Sequence, residues 1–189
     1  MLRGGRIDWF HRRVAIETLL HTDRSLAAAT RLVLDKLQGK ALENVDGPED
    51  GRIEVDCLDG DSGDEWGFVA PETSPMDAFT KIKEKPTTVR VSVRLEHGQV
   101  LLYPGFVVLS RPDGDFEEFE EDENAKEIAL REAFELGRLF RVREVLIAGD
   151  AASDFLGTEA TSWEGLKDVL QDEEVPHTIL PVPAKDGAP

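Results

Sequence analysis

The sequence contains one cysteine, Cys57, and no apolar run long enough to cross a membrane. A single cysteine excludes an intramolecular disulfide and is typical of a reducing compartment. A membrane helix needs about 20 consecutive apolar residues, and no stretch approaches that length. The first residues lack the apolar core of a secretory signal, and Asp8 and Glu17 are unlike a transit peptide. We therefore expect a soluble cytoplasmic protein.

The sequence also lacks the glycine-rich loops that bind nucleotides. It contains neither G-x-G-x-x-G nor a P-loop. No other intact catalytic motif replaces them, so the sequence predicts no cofactor and leaves open whether the protein is an enzyme.

Positive charge is scarce and unevenly distributed. The chain of 189 residues has a net charge of −17, of which residues 1–40 contribute +4 and residues 41–189 contribute −21. A body this acidic repels the phosphates of nucleic acids, which makes DNA or RNA an unfavourable partner. With 40% apolar residues, the chain can fill the core of one domain with an appendage.

Apolar spacing in the first forty residues predicts two helices. The first runs from Asp8 to His21 and the second from Ser25 to Gln38. We interpret residues 1–40 as a helical arm, 41–51 as a linker, 52–183 as an α/β domain and 184–189 as a disordered tail.

The domain begins with strands whose apolar residues alternate, as in an antiparallel sheet with one buried face. The Glu96–Gln99 turn joins two of them in a hairpin. The predicted elements are strands at 52–57, 66–69, 87–95 and 100–103, with a helix at 75–83.

The stretch 106–154 has the order of a βαβ unit, in which two parallel strands, here 106–109 and 142–148, share a crossover helix, here 125–140. A further helix and strand at 162–171 and 177–182 extend it. The predicted fold class is therefore α/β with α+β character: a mixed sheet, antiparallel in its first part and parallel βαβαβ in its second, plus the N-terminal helical pair.

Ligands of open parallel sheets bind beyond the carboxyl ends of the strands. The predicted loops there, 110–115 and 149–154, are polar and acidic, which suits a hard cation better than a phosphate. The stretches 124–127 and 145–150, which end on Glu127 and Asp150, resemble the second and third acidic positions of ribonuclease H-like proteins. Asp56 is placed similarly to the first position.

The resemblance implies that Asp56, Glu127 and Asp150 hold Mg²⁺ or Mn²⁺ ions, which activate water against a phosphodiester. A divalent-metal-dependent phosphodiesterase or nuclease with a degenerate ribonuclease H-like site is accordingly our alternative function.

The run 113–123 holds eight acids in eleven residues. It is interpreted as a solvated loop that favours the next helix N-terminus, as a surface for the basic arm, or as an acidic-aromatic patch containing Phe116 and Phe119. The leading hypothesis is a non-catalytic acidic accessory or interaction protein. Its helical arm or acidic patch would bind a protein partner or a second copy of the chain.

Overall fold

The structure, a computed structural model, describes residues 15–39, 47–48, 50–112, 116–149 and 152–184. These residues form eight strands and five α-helices. In chain order they are β1 (Ile16–His21), α1 (Leu26–Gly39), β2 (Ile53–Asp59), β3 (Glu65–Ala70), α2 (Pro75–Lys83), β4 (Thr88–Leu95), β5 (Gly98–Tyr103), β6 (Phe106–Arg111), α3 (Phe116–Glu121), α4 (Glu123–Phe140), β7 (Glu144–Gly149), α5 (Trp163–Asp172) and β8 (His177–Pro181). A short 3₁₀ helix, Ala152–Phe155, follows β7.

All eight strands belong to one sheet, in the order β3-β2-β4-β5-β6-β1-β7-β8. Every neighbouring pair in this order is antiparallel. The predicted mixed sheet with a parallel βαβαβ part is therefore wrong, although the antiparallel pairing expected for its first strands is present.

The position of β1 explains this error. β6 and β7 run in the same direction and are joined through α3 and α4, but β1 lies between them and bonds to both. Leu19 pairs with Val108 on β6 and with Leu146 on β7. The two strands expected to be parallel neighbours are thus separated by an antiparallel one.

The prediction of an N-terminal helical pair is also wrong, because the end of its first helix is a strand. Ile16–His21, expected at the end of the first helix, is strand β1, whereas the second predicted helix is α1. Four successive residues of β1, from Glu17 to Leu20, are buried because both faces of the sheet are covered there. The apolar residues of this segment, Ile16, Leu19 and Leu20, fit the spacing of a helix and a strand buried on both faces equally well.

The second expected parallel crossover, from β7 through α5 to β8, is absent because the chain returns to the end of the sheet where β7 starts before α5 begins. Trp163, the first residue of α5, hydrogen-bonds Glu144 at the start of β7, and the N–H of Gly149 at the end of β7 donates to the carbonyl of Pro176. Helix α5 therefore returns the chain to the end where β7 finished, and β8 pairs antiparallel with β7.

The sheet separates two apolar layers. On one face, Leu20, Val107 and Ile147 join the core that includes buried residues of α1, α2, α3 and α4. On the other face, Leu19, Val108 and Leu146 pack with the 3₁₀ helix and α5. None of the described helices is both long and apolar enough to span a membrane.

Helix α4 is fixed at both ends and in its middle. The Asp122 carboxylate accepts the backbone N–H groups of Asn124 and Ala125, at 2.8 and 3.2 Å. Glu132, nearly buried on α4, accepts two hydrogen bonds from the Arg111 guanidinium of β6, at 2.6 and 3.3 Å. The helix ends at Arg141, which has a left-handed conformation with φ 58°. These contacts hold α4 firmly against the sheet.

Truncating a β1 side chain tests the central position of this strand. Leu20 is fully buried, so we expect Leu20→Ala to lower the free energy of unfolding by about 3 kcal/mol through lost burial and a residual cavity. Met76→Ala is the matched control, because its side chain is 49% exposed. Urea denaturation measures both, and equal small losses would contradict a central β1.

Candidate functional site

Asp56, the first residue proposed as a metal ligand, lies in a row of surface charges on β2. Its neighbours Val55 and Cys57 are buried in the core that also contains α1 and α2. Side chains alternate along a strand, so Asp56 projects from the opposite face of the sheet. There its carboxylate lies 3.6 Å from the guanidinium of Arg94, which also pairs with Glu54.

Glu127, the second proposed ligand, is exposed near the start of α4. Helix α4 packs through Ala133, Leu136 and Phe140 onto the core side of the sheet. The sheet therefore lies between Glu127 and the face that carries Asp56, and the structure does not bring these two carboxylates together.

Asp150, the third proposed ligand, lies outside the described residues, one position beyond the end of β7. Among the residues the structure does describe, no group of three His, Cys, Asp or Glu side chains could hold a metal ion. The metal site with Asp56, Glu127 and Asp150 thus stays a prediction without support from the placement of its first two members.

Glu17 is a buried carboxylate whose position the sequence analysis missed, because β1 was expected to be a helix. Its side chain accepts hydrogen bonds from the Ser153 backbone N–H at 2.8 Å and from the Ser153 hydroxyl at 2.7 Å. Burial raises the pKa of Glu17, and nearby Asp154 raises it further, while hydrogen bonds from Ser153 and Ser110 oppose the shift. The sequence did contain a signal for a buried acid, because Glu17 lies among the apolar residues Ile16, Leu19 and Leu20.

Glu17 borders a cleft of about 590 Å³ on the face of the sheet opposite α1 and α2. The cleft continues over β4 and β5, where the Ser92 hydroxyl donates to the Gln99 side chain at 3.0 Å. Tyr103 also lines it, and burial raises the pKa of its hydroxyl. None of the described lining residues is His, Cys or Lys. Ser153 and Glu17 both line the cleft, and the bonds from Ser153 to the Glu17 carboxylate tie the 3₁₀ helix to the central strand.

The acidic run forms a helical corner. Phe116 and Phe119 of α3 are buried, with ring centroids 5.4 Å apart, so they do not belong to an exposed aromatic patch. The aromatic part of the third interpretation is therefore wrong. The exposed acids of α3 and the first turns of α4 define the acidic helical surface: Glu117, Glu118, Glu120, Glu121, Asp122, Glu123 and Glu127.

Comparison of the chain with protein-family models, with curated proteins and with solved structures finds no match. We therefore infer function from the chemistry of these surfaces.

Replacing Glu17 tests the cost of its burial. Burial raises the pKa of Glu17 in the folded state. The protonated carboxyl therefore stabilises the fold fully below the pKa of the unfolded chain, near 4.5, and this stabilisation is lost as the pH rises through the pKa of the folded state. Glu17→Gln cannot ionise, so its free energy of unfolding should increase relative to wild type over that interval.

Urea denaturation of both proteins between about pH 4 and about pH 8 measures the difference. Glu127→Gln, at an exposed site, is the matched control. A difference between Glu17→Gln and wild type that stays constant or falls with pH would contradict the assignment.

Proposed function

We propose that this protein is a non-catalytic accessory or interaction protein that binds a basic segment of a protein partner through the acidic helical surface. The observation that carries the proposal is the arrangement of seven exposed carboxylates along α3 and the start of α4, where Asp122 caps α4 and Phe116 and Phe119 are buried. Basic side chains of a partner would find these charges already in place.

Rigidity favours this surface as a binding site. Phe116 packs against the end of β7, where a Cβ atom placed on Gly149 would lie 2.9 Å from the Cβ of Phe116. Asp122 caps α4, and the Arg111–Glu132 pair fixes that helix about three turns further on. A surface held in one conformation loses less entropy on binding than a mobile tail with the same charge.

Charge, and not apolar area, is what this surface offers. Among the described residues, the exposed large apolar side chains are Met76, Val89, Ile128 and Ile179, which lie on four separate elements. Isolated apolar residues of this kind are ordinary on protein surfaces. Electrostatic attraction to a basic segment would accelerate association about 10- to 1,000-fold, and the gain would fall steeply with salt.

The helical arm is less suited to the same role. Its described part consists of β1, which lies inside the sheet, and α1, whose Ala29, Val33 and Leu34 are buried in the main core. Binding a partner through these apolar side chains would require α1 to leave the sheet. The acidic helical surface needs no such rearrangement, which supports it over the arm.

Neutralising four carboxylates tests the proposal. In the first variant Glu118, Glu120, Glu121 and Glu127 are replaced by Gln. The matched control carries Asp168→Asn, Asp172→Asn, Glu173→Gln and Glu174→Gln, which remove four exposed charges at the end of α5. Exposed ion pairs contribute about 0.2–1 kcal/mol each, so the first variant should bind the partner about 10- to 100-fold more weakly.

Crosslinking in cells followed by mass spectrometry identifies candidate partners, and titration of the purified pair measures affinity. The proposal expects a protein that wild type and control both bind, that the first variant loses, and whose affinity falls with added salt. A partner that binds all three forms equally, independently of salt, would contradict it. Matching thermal unfolding curves exclude misfolding as the cause of a loss.

A further inference from the structure

A basic pocket lies at the far end of α4 from the acidic helical surface. It has a volume of about 630 Å³, and its lining includes His21, Arg24, Arg141, Arg143, Glu144 and Trp163. We propose that this basic pocket binds a small ligand through an oxyanion group with two or more negative charges, such as the phosphate groups of a phosphate ester. The site is separate from the surface proposed above for a protein partner.

The sheet topology creates the pocket. Since Leu19 of β1 pairs with Leu146 of β7, the end of β1 lies beside the start of β7. The loop after β1 carries Arg24, and the loop before β7 carries Arg141 and Arg143. Two chain segments more than a hundred residues apart thus contribute three arginines to the lining of one cavity.

These three guanidinium groups are available to a ligand. Arg24, Arg141 and Arg143 are all exposed, and none forms an ion pair or side-chain hydrogen bond with another described residue. Elsewhere, Arg111 pairs with Glu132 and Arg94 pairs with Glu54. Arginine binds phosphate and carboxylate oxygens in bidentate fashion, which suits a pocket lined by several of them.

Acids in the lining do not cancel this charge. Glu144 accepts hydrogen bonds from Trp163 and, at 2.9 Å, from Lys167, and these bonds lower its pKa. The Lys167 ammonium group also pairs with Glu164, at 3.1 Å, so it offsets only part of the charge on Glu144. Asp23 is the other lining acid. The three lining arginines against Asp23 and Glu144 leave the pocket with a net charge of +1, within a chain whose net charge is −17.

The end of α4 holds Arg141 in a left-handed conformation, with φ 58°. Its N–H donates to the Arg138 carbonyl at 3.1 Å, and the N–H of Val142 donates to the Gly137 carbonyl at 3.0 Å. These bonds offset the strain that a side chain meets in this region, where helix ends favour glycine or asparagine. The helix end thus fixes the backbone of Arg141 beside the pocket.

The acidic helical surface is too distant to oppose an anion here. Helix α4 has 18 residues and spans about 27 Å at 1.5 Å per residue. The screening length at physiological salt is about 8 Å, so the acids at the start of α4 contribute little at its end. Helices α1 and α5 both begin near this edge, which adds positive potential, while α4 ends there with the opposite sign.

Calorimetry and thermal shift with the full chain test the proposal, using pyrophosphate, ATP and adenosine as probes at low salt. We expect pyrophosphate and ATP to bind and to raise the Tm, and adenosine to do neither. Comparable affinities for pyrophosphate and ATP would assign binding to the phosphates alone, and tighter binding of ATP would add a contact for its ring or sugar.

Two variants locate the site. Arg143→Gln and Arg141→Gly should each weaken pyrophosphate binding about tenfold or more, since hydrogen bonds to charged groups are strong. Glycine relieves the left-handed strain at position 141, so Arg141→Gly should fold with an unchanged or higher Tm while it loses affinity. Arg131→Gln, which removes an exposed arginine in the middle of α4, is the matched control and should bind normally.

Three results would overturn the proposal. They are failure of wild type to bind pyrophosphate or ATP, binding of adenosine as tight as that of ATP, and an Arg131→Gln variant that weakens binding as much as Arg143→Gln does. The first result would show that the pocket binds no phosphate group. The second would show that the protein recognises the nucleoside and not the phosphates. The third would show that the loss of binding reflects the net charge of the protein and not a local site.

Discussion

The fold depends on the hydrogen bonds that β1 makes along both of its edges. On one side β1 pairs with β6, the last strand of the group β3-β2-β4-β5-β6, and on the other with β7, which continues to β8. In the described structure these two groups share no direct ladder, so β1 joins them into one sheet. Its side chains also connect the layers, because Leu19 and Leu20 belong to opposite cores and Glu17 holds the 3₁₀ helix. A strand in this position is buried on both faces, which accounts for its nearly continuous run of buried residues.

Local pattern was sufficient for most elements and failed for β1. The helices expected at 25–38, 75–83, 125–140 and 162–171 all occur within two residues of the observed ones, because each has one apolar face and a capping or turn residue at its ends. The strands of the antiparallel part were likewise evident from their alternation. The insertion of β1 between β6 and β7 has no local signal, since it is decided by pairing over about ninety residues of sequence. The parallel pairing of β6 with β7 followed from that omission, whereas the parallel pairing of β7 with β8 was wrong because the chain returns along the sheet before α5 begins.

The candidate sites also differ in how far the sequence alone predicts them. The acidic run was evident from composition, and the structure adds that its phenylalanines are internal and its carboxylates external. Glu17 and the basic pocket depend on the pairing of β1 with β7, which brings Ser153 to one end of β1 and Arg141 and Arg143 to the other. Charged residues that are distant in sequence thus come together only through β1, the strand that the apolar spacing predicted as a helix. The result is a molecule with opposite charge at the two ends of α4.

The position of β1 also has a consequence for biosynthesis. β1 leaves the ribosome before any of its partners, and 84 residues separate His21 from Phe106, the first residue of β6. β7, its other partner, begins only at Glu144. Both edges of β1 therefore stay unpaired while most of the chain is synthesised, and unpaired strand edges make a nascent chain prone to aggregate. Completion of the sheet must wait for contacts of long sequence separation, which fold slowly. The central strand of the finished protein is thus the segment that most needs protection during translation.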